Sequence, residues 1–180
     1  MKRILAVVGM AGSGKTVATE GAVEQGFTPV YFGGITMEEL KKRKLEVTEL
    51  NERNVREALR EEHGMAAFAK LSIPKIDAIE GDVVIDGLYS WEEYKVLKEK
   101  YKDQLIVVAV YASPKTRYER LAIRPERPLK EEHAMARDLT EIENLDKGGP
   151  IAMADYTIIS EGSIEQEKED VKHVINKIKG

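Results

Sequence analysis

The 180-residue chain predicts an α/β fold, a parallel sheet of five strands between two layers of helices. Three observations carry the prediction. Five short segments are almost continuous apolar runs, the pattern of strands covered on both faces. Helix-length segments separate them, and such alternation joins parallel strands through right-handed crossovers. The first strand also runs into a glycine-rich loop that opens a helix, and that junction has a chemistry of its own.

In chain order, RILAVV (3–8) is the first strand. GMAGSGKT (9–16) follows and fits G-x-x-x-x-G-K-[ST], with Gly9, Gly14, Lys15 and Thr16 in the fixed places. Gly9 ends the strand in a turn that a Cβ would obstruct. Gly12 and Gly14 let the backbone approach a ligand, so that amides from about Gly12 through Ser13 to Thr16 point at phosphate oxygens. The helix over 15–25 adds its free N–H groups and dipole. Lys15 reaches toward β- and γ-phosphates, and the Thr16 hydroxyl is placed to ligate Mg²⁺. TPVYF (28–32) is the second strand, and a helical segment covers 36–62. DVVIDG (82–87) and LIVVAVYA (105–112) are the third and fourth strands, with a helix over 90–101 between them. Helices over 114–123 and 130–145 lead to the fifth strand, DYTIIS (155–160). In the last helix, 163–178, Ile164, Val171, Ile175 and Ile178 share a face.

Composition narrows the function classes. The chain is 42% hydrophobic and 33% charged, enough apolar residues for a core and enough charge for solubility. The absence of cysteine excludes a disulfide framework and thiolate metal sites. No apolar run approaches the ~18 residues of a membrane span, and no signal peptide precedes the first strand, so a cytoplasmic protein without a membrane partner is expected. A net charge of −4 argues against a general nucleic-acid binder. Positive charge is instead local. Arginine falls only at Arg3, between Arg43 and Arg60, and between Arg117 and Arg137, and arginine gives a bidentate grip on phosphate.

Other candidates follow. Asp86 ends the third strand at the carboxyl edge, where open α/β sheets bind ligands. It is placed to hold Mg²⁺ or to accept the proton of an attacking hydroxyl; an ordinary Asp-Gly turn is the alternative. Arg117, Arg120 and Arg124 recur at i, i+3 and i+7, one helical face, with Arg127 and Arg137 beyond. They suit a nucleotide's phosphates, or a solvated face paired with Glu119, Glu126 and Glu131. Arg53, Arg56 and Arg60 repeat the spacing and suit a second anionic substrate or a salt-bridged exposed helix. His63 reads as a helix C-terminal residue. Tyr89, Trp91 and Tyr94 read as core, with stacking on a base as the alternative.

GMAGSGKT, EEHGM, VVIDG, SPKTRYERL and ADYTIISEGS, in this order, resemble the P-loop nucleotide kinases, and in particular the adenylate-kinase-related, dephospho-coenzyme A kinase-like proteins. The resemblance implies a P-loop NTPase three-layer α/β/α sandwich with a substrate-binding insert and a lid. The division that follows is a core of 1–32, 82–123 and 150–180, an insert of about 33–81 and a lid of about 124–149, of which the resemblance itself places about 124–137. It implies ATP as donor and Mg²⁺ as cofactor, with Arg120, Arg124 and Arg137 on the nucleotide or its phosphates and ADYTIISEGS beside the adenine. With Lys15 and Asp86, Arg120 and Arg137 complete the expected catalytic set. The chain departs from its relatives on the acceptor side: Gly34 and Met37 stand where an Asp and an Arg are common, and Tyr89 where an Arg follows D-G.

The expected function is an ATP-dependent small-molecule kinase acting on a nucleotide- or coenzyme-like acceptor, as monomer or homodimer. The alternatives are a nucleotide-dependent switch or slow ATPase with a protein partner, and a binding module without catalysis. Retention of Lys15, Thr16 and Asp86 counts against the last.

Overall fold

The computed structural model describes residues 2–180. Five parallel strands form one sheet: β1 (Ile4–Val8), β2 (Thr28–Tyr31), β3 (Val83–Asp86), β4 (Leu105–Tyr111) and β5 (Tyr156–Ile159), in the order β2-β3-β1-β4-β5. β1 is central, pairing Ile4 with Val83 on one side and with Leu105 on the other. All five of its residues are buried, as its unbroken apolar run requires.

The strand period of two splits β1 between two cores. Ile4, Ala6 and Val8 face a large cluster with Phe32, Leu40, Val55, Phe68 and Leu97. Leu5 and Val7 face a smaller one with Ala18, Ala22, Val171 and Ile175. The smaller core is covered by α1 (Lys15–Glu24) and α9 (Ile164–Lys179). The larger is covered by α2 (Gly34–Lys42), α3 (Glu49–His63), α4 (Ala67–Ala78) and α5 (Trp91–Tyr101). α6 (Pro114–Ile123) and α7 (Glu131–Leu145) pack on each other beside the end of β1, and the short α8 (Gly148–Ala152) leads into β5. The predicted three-layer α/β sandwich is the observed one.

Three local expectations change. The single helix expected over 36–62 is two, α2 and α3, broken at 43–48. Lys44 there takes a left-handed φ of 55°, and the Thr48 hydroxyl caps α3 by accepting from the Asn51 amide. No helix was expected over 67–78, yet α4 forms there with Pro74 inside it. Burial of Ala67, Phe68, Ala69, Ser72 and Ile76 outweighs the lost N–H, a tertiary override of propensity. α8 begins in two glycines and carries no helical pattern to read.

Candidate functional site

All strands end at one edge, and the glycine-rich loop leaves the central one. Gly9 has no room for a side chain: a Cβ would overlap the Val110 carbonyl oxygen and lie 2.6 Å from Ser13 Oγ. Gly14 caps α1 at φ 103°, a left-handed conformation. No side chain caps α1 and its first turn holds no acid, so its leading N–H groups are open to an anion. Gly12 is likewise left-handed, at φ 80°, and Ser13 is buried with no partner for its hydroxyl among the described residues. Thr16 is exposed on the first turn.

Lys15 Nζ folds back to donate to the Met10 carbonyl at 2.9 Å. Burial, then the neighbouring Lys147, lowers its pKa to about 7, against the pull of Glu141 and Asp86. Asp86, paired in register with Val7 of β1, is held above the ordinary carboxylate range by burial, with Lys15 opposing. Lys15 and Asp86 are therefore close enough to set each other's charge. Among the described residues no group of three His, Cys, Asp or Glu side chains could hold a metal by itself. A hydroxyl and a carboxylate flanking a phosphate site are nonetheless the donors Mg²⁺ takes when nucleotide oxygens and water fill its other positions.

The arginines divide by environment. Arg117, expected on one face with Arg120 and Arg124, is instead buried. It holds the Asp138 carboxylate at 2.9 and 2.6 Å and donates to the Ala11 and Ala112 carbonyls. It braces the loop and is not open to a ligand. Arg120 donates to Ser160 Oγ at 2.9 Å, beside β5 and α9. Arg124 ends α6 and its Nε bonds the Arg127 carbonyl. Arg127 reaches across to Glu52 of α3, which Arg56 also contacts. Arg137 Nε meets Glu141 at 2.9 Å. Arg53 pairs with the exposed Glu57, the salt-bridged alternative, while Arg60 lies over the Phe68 ring.

Three site residues, Lys147, Glu141 and Glu93, escaped the sequence reading. Lys147 is 1% exposed; its Nζ donates to Glu141 at 2.6 Å and lies 5.0 Å from the Tyr89 ring centroid. Burial lowers Lys147, against the attraction of Glu141. Burial works to raise Glu141, but Lys147 and Arg137 outweigh it and hold that carboxyl below its ordinary range. Arg137 and Lys147 thus meet on Glu141, and Lys15 lies near enough to feel all three and Asp86. The i, i+4 spacing of Arg137 and Glu141 was readable; the return of Lys147 from a glycine turn was not. Glu93 was readable as half of a Ser90-x-x-Glu93 capping box, which forms. Burial pushes Glu93 up to about 7, against the amides of Tyr89 and Ser90. Tyr89 is half-buried with its ring against Gly87, and Trp91 stacks on Tyr94 at 4.9 Å, so these rings have partners within the protein. Gly34 opens α2, Met37 is exposed on it, and His63 is the last residue of α3.

Residues 5–147 match the profile of the AAA domain. A UPF0200 protein of Hyperthermus butylicus is 36% identical, over 98% of this chain and 95% of its own. Another from Thermococcus kodakarensis is 38% identical, over 97% of each. Among solved structures, shikimate kinase from Bacteroides thetaiotaomicron superposes with a TM-score of 0.64 at 14% identity, over 99% of both chains. Dephospho-CoA kinase from Campylobacter jejuni does so at 0.57 and 17%, again over 99% of both. The chain belongs to the UPF0200 proteins, with an AAA domain built on the fold seen in the P-loop kinases.

Proposed function

We propose that the protein is an ATP-dependent kinase that transfers the γ-phosphoryl group to a nucleotide- or coenzyme-like small molecule. The observation that carries this reading is the gathering of Arg137 and Lys147 on Glu141 close to Lys15, which also feels Asp86, at the mouth of a loop with free amides. Phosphoryl transfer needs positioning and positive charge more than covalent chemistry. The amides of Gly12 to Thr16 and the Lys15 ammonium bind the donor's phosphates. Arg120 and Arg124 contact the nucleotide, and Arg137 and Lys147 offset charge on the moving group. Thr16 and Asp86 would hold a Mg²⁺ ion arriving with the nucleotide, and the ion would supply neutralisation of phosphate charge. The acceptor oxygen bonds phosphorus as the bond to the β-phosphate oxygen breaks; the acceptor's proton passes to Asp86 where that carboxylate faces the acceptor in place of the ion, and to solvent where it holds the ion. Residues 33–81 serve the acceptor and 124–149 act as a lid that excludes water. Among the described residues no helix is long and apolar enough to cross a membrane, and a cytoplasmic location fits the cysteine-free chain.

A nucleotide-dependent switch or slow ATPase acting on a protein partner is the second reading. It is favoured by Met135, Leu139 and Ile142, half-exposed at i, i+4 and i+7 on one face of α7. The test is transfer from γ-labelled ATP with Mg²⁺ to nucleoside monophosphates, nucleosides, dephospho-coenzyme A and shikimate. Transfer to one acceptor, lost in Lys15→Ala, is expected. Tight ATP binding with no transfer to any acceptor would reject the kinase in favour of the switch.

A further inference from the structure

Glu167 lies on α9 with its side chain turned toward the phosphate loop, and it is only 4% exposed. The next buried residues along α9, Val171 and Ile175, are core aliphatics. Oε2 accepts from the Ser160 hydroxyl at 2.5 Å, and Ser160 Oγ in turn accepts from Arg120 Nη1. Among the described residues Oε1 has no hydrogen-bond partner. A Cβ on Gly14 would overlap that orphan oxygen and lie 2.8 Å from Ser160 Oγ, so the carboxylate is packed directly on the residue that caps α1.

Packing does not call for a charge here, and an unsatisfied carboxylate oxygen is costly to bury. Its place explains its type. The open amides and dipole of α1 create a positive field at Gly14, the same field a bound phosphate would use. Arg120 also depends on this group. Seven of the ten arginines meet a carboxylate directly, whereas Arg60, Arg120 and Arg124 do not, among the described residues. Arg120 reaches Glu167 through Ser160.

We propose that Glu167, acting through Ser160 on Arg120 and directly on Gly14, limits the affinity of the phosphate loop for its nucleotide; this rests on the reading of the loop as a nucleotide site. Two effects act in one direction. The carboxylate repels incoming phosphates, and it holds Arg120 back on Ser160. A loop of free amides flanked by Lys15, Arg120 and Arg124 would otherwise retain a nucleoside diphosphate after turnover. The internal anion offsets part of that grip and speeds its release.

The test is the affinity for MgADP of the wild type, Glu167→Gln and Glu167→Leu, by calorimetry, with thermal unfolding alongside. Glutamine keeps the shape and an acceptor for Ser160, and leucine extends the apolar face of Val171 and Ile175. Both variants are expected to bind MgADP more tightly, on the order of tenfold, with a gain that shrinks as salt is raised. Loss of a merely structural contact would weaken binding or lower the melting temperature instead. Unchanged or weaker affinity in variants that melt like the wild type overturns the proposal while leaving the nucleotide site intact. Failure of both variants to fold assigns Glu167 to the core and overturns it as well. A wild type that does not bind MgADP refutes the nucleotide site itself, and the proposal with it.

Discussion

Asp138→Ala isolates the brace beneath the phosphate loop. In the folded chain Asp138 accepts two bonds from Arg117, at 2.9 and 2.6 Å, and one from the Tyr118 hydroxyl at 3.0 Å. Side-chain exposures of 5% and 8% put the pair out of reach of water. Removing one partner of a buried pair costs roughly 3–5 kcal/mol, because the other charge is left uncompensated. Arg117 keeps its bonds to the Ala11 and Ala112 carbonyls, both at 3.1 Å, which places the loss near the lower end, about 3 kcal/mol. For a chain of this size that corresponds to a melting temperature lower by roughly 6–12 °C. Urea unfolding should show a reduced midpoint with an unchanged slope. Because Arg117 also grips Ala11 inside the loop, nucleotide affinity should fall with stability. Arg117→Met combined with Asp138→Leu removes both charges and should recover most of the loss. A cost under about 1 kcal/mol for Asp138→Ala, or a double variant no better than the single one, would refute the account.

Two further outcomes concern charge at the loop. Lys15 has a folded pKa near 7, against 10.5 when unfolded, so its ammonium is penalised in the empty site. The empty protein should gain stability as pH rises from about 7 toward 10.5, where the folded chain has shed a proton that the unfolded chain still holds. Nucleotide binding has the opposite sign. Phosphate favours the charged lysine, so affinity should be level below about pH 7 and fall by up to tenfold per unit above it, with proton uptake visible by calorimetry in buffers of different ionisation enthalpy. Lys15→Met should abolish that uptake, and a pH-independent affinity in the wild type would contradict it. Lys147 is the leading charged neighbour that lowers Lys15, so Lys147→Met should shift the midpoint of this pH profile upward. An unmoved midpoint would mean that Lys147 does not act on Lys15.

Local sequence determined the sheet and the loop. An unbroken apolar run such as ILAVV has one stable place, a strand buried on both faces, and the glycines after it permit backbone that no other residue enters freely. Those features depend on near neighbours, so the α/β class and the phosphate loop were legible before any coordinates. The helices of 34–78 were less so. Thr48 was a readable cap, but α4 forms around Pro74 only because its apolar face is buried against the core. The charged edge was decided by tertiary structure alone. Arg117 and Arg120 are three residues apart on α6, yet one is locked to Asp138 and the other lies on Ser160, since α7 covers one and α9 approaches the other. Lys147 and Glu167 carry no mark in the sequence that separates them from the surface lysines and glutamates around them, and the capping spacing of Glu93 gives no sign of its burial. Only the fold removes water from them, and desolvation beside a few fixed charges is what turns an ordinary side chain into part of a site.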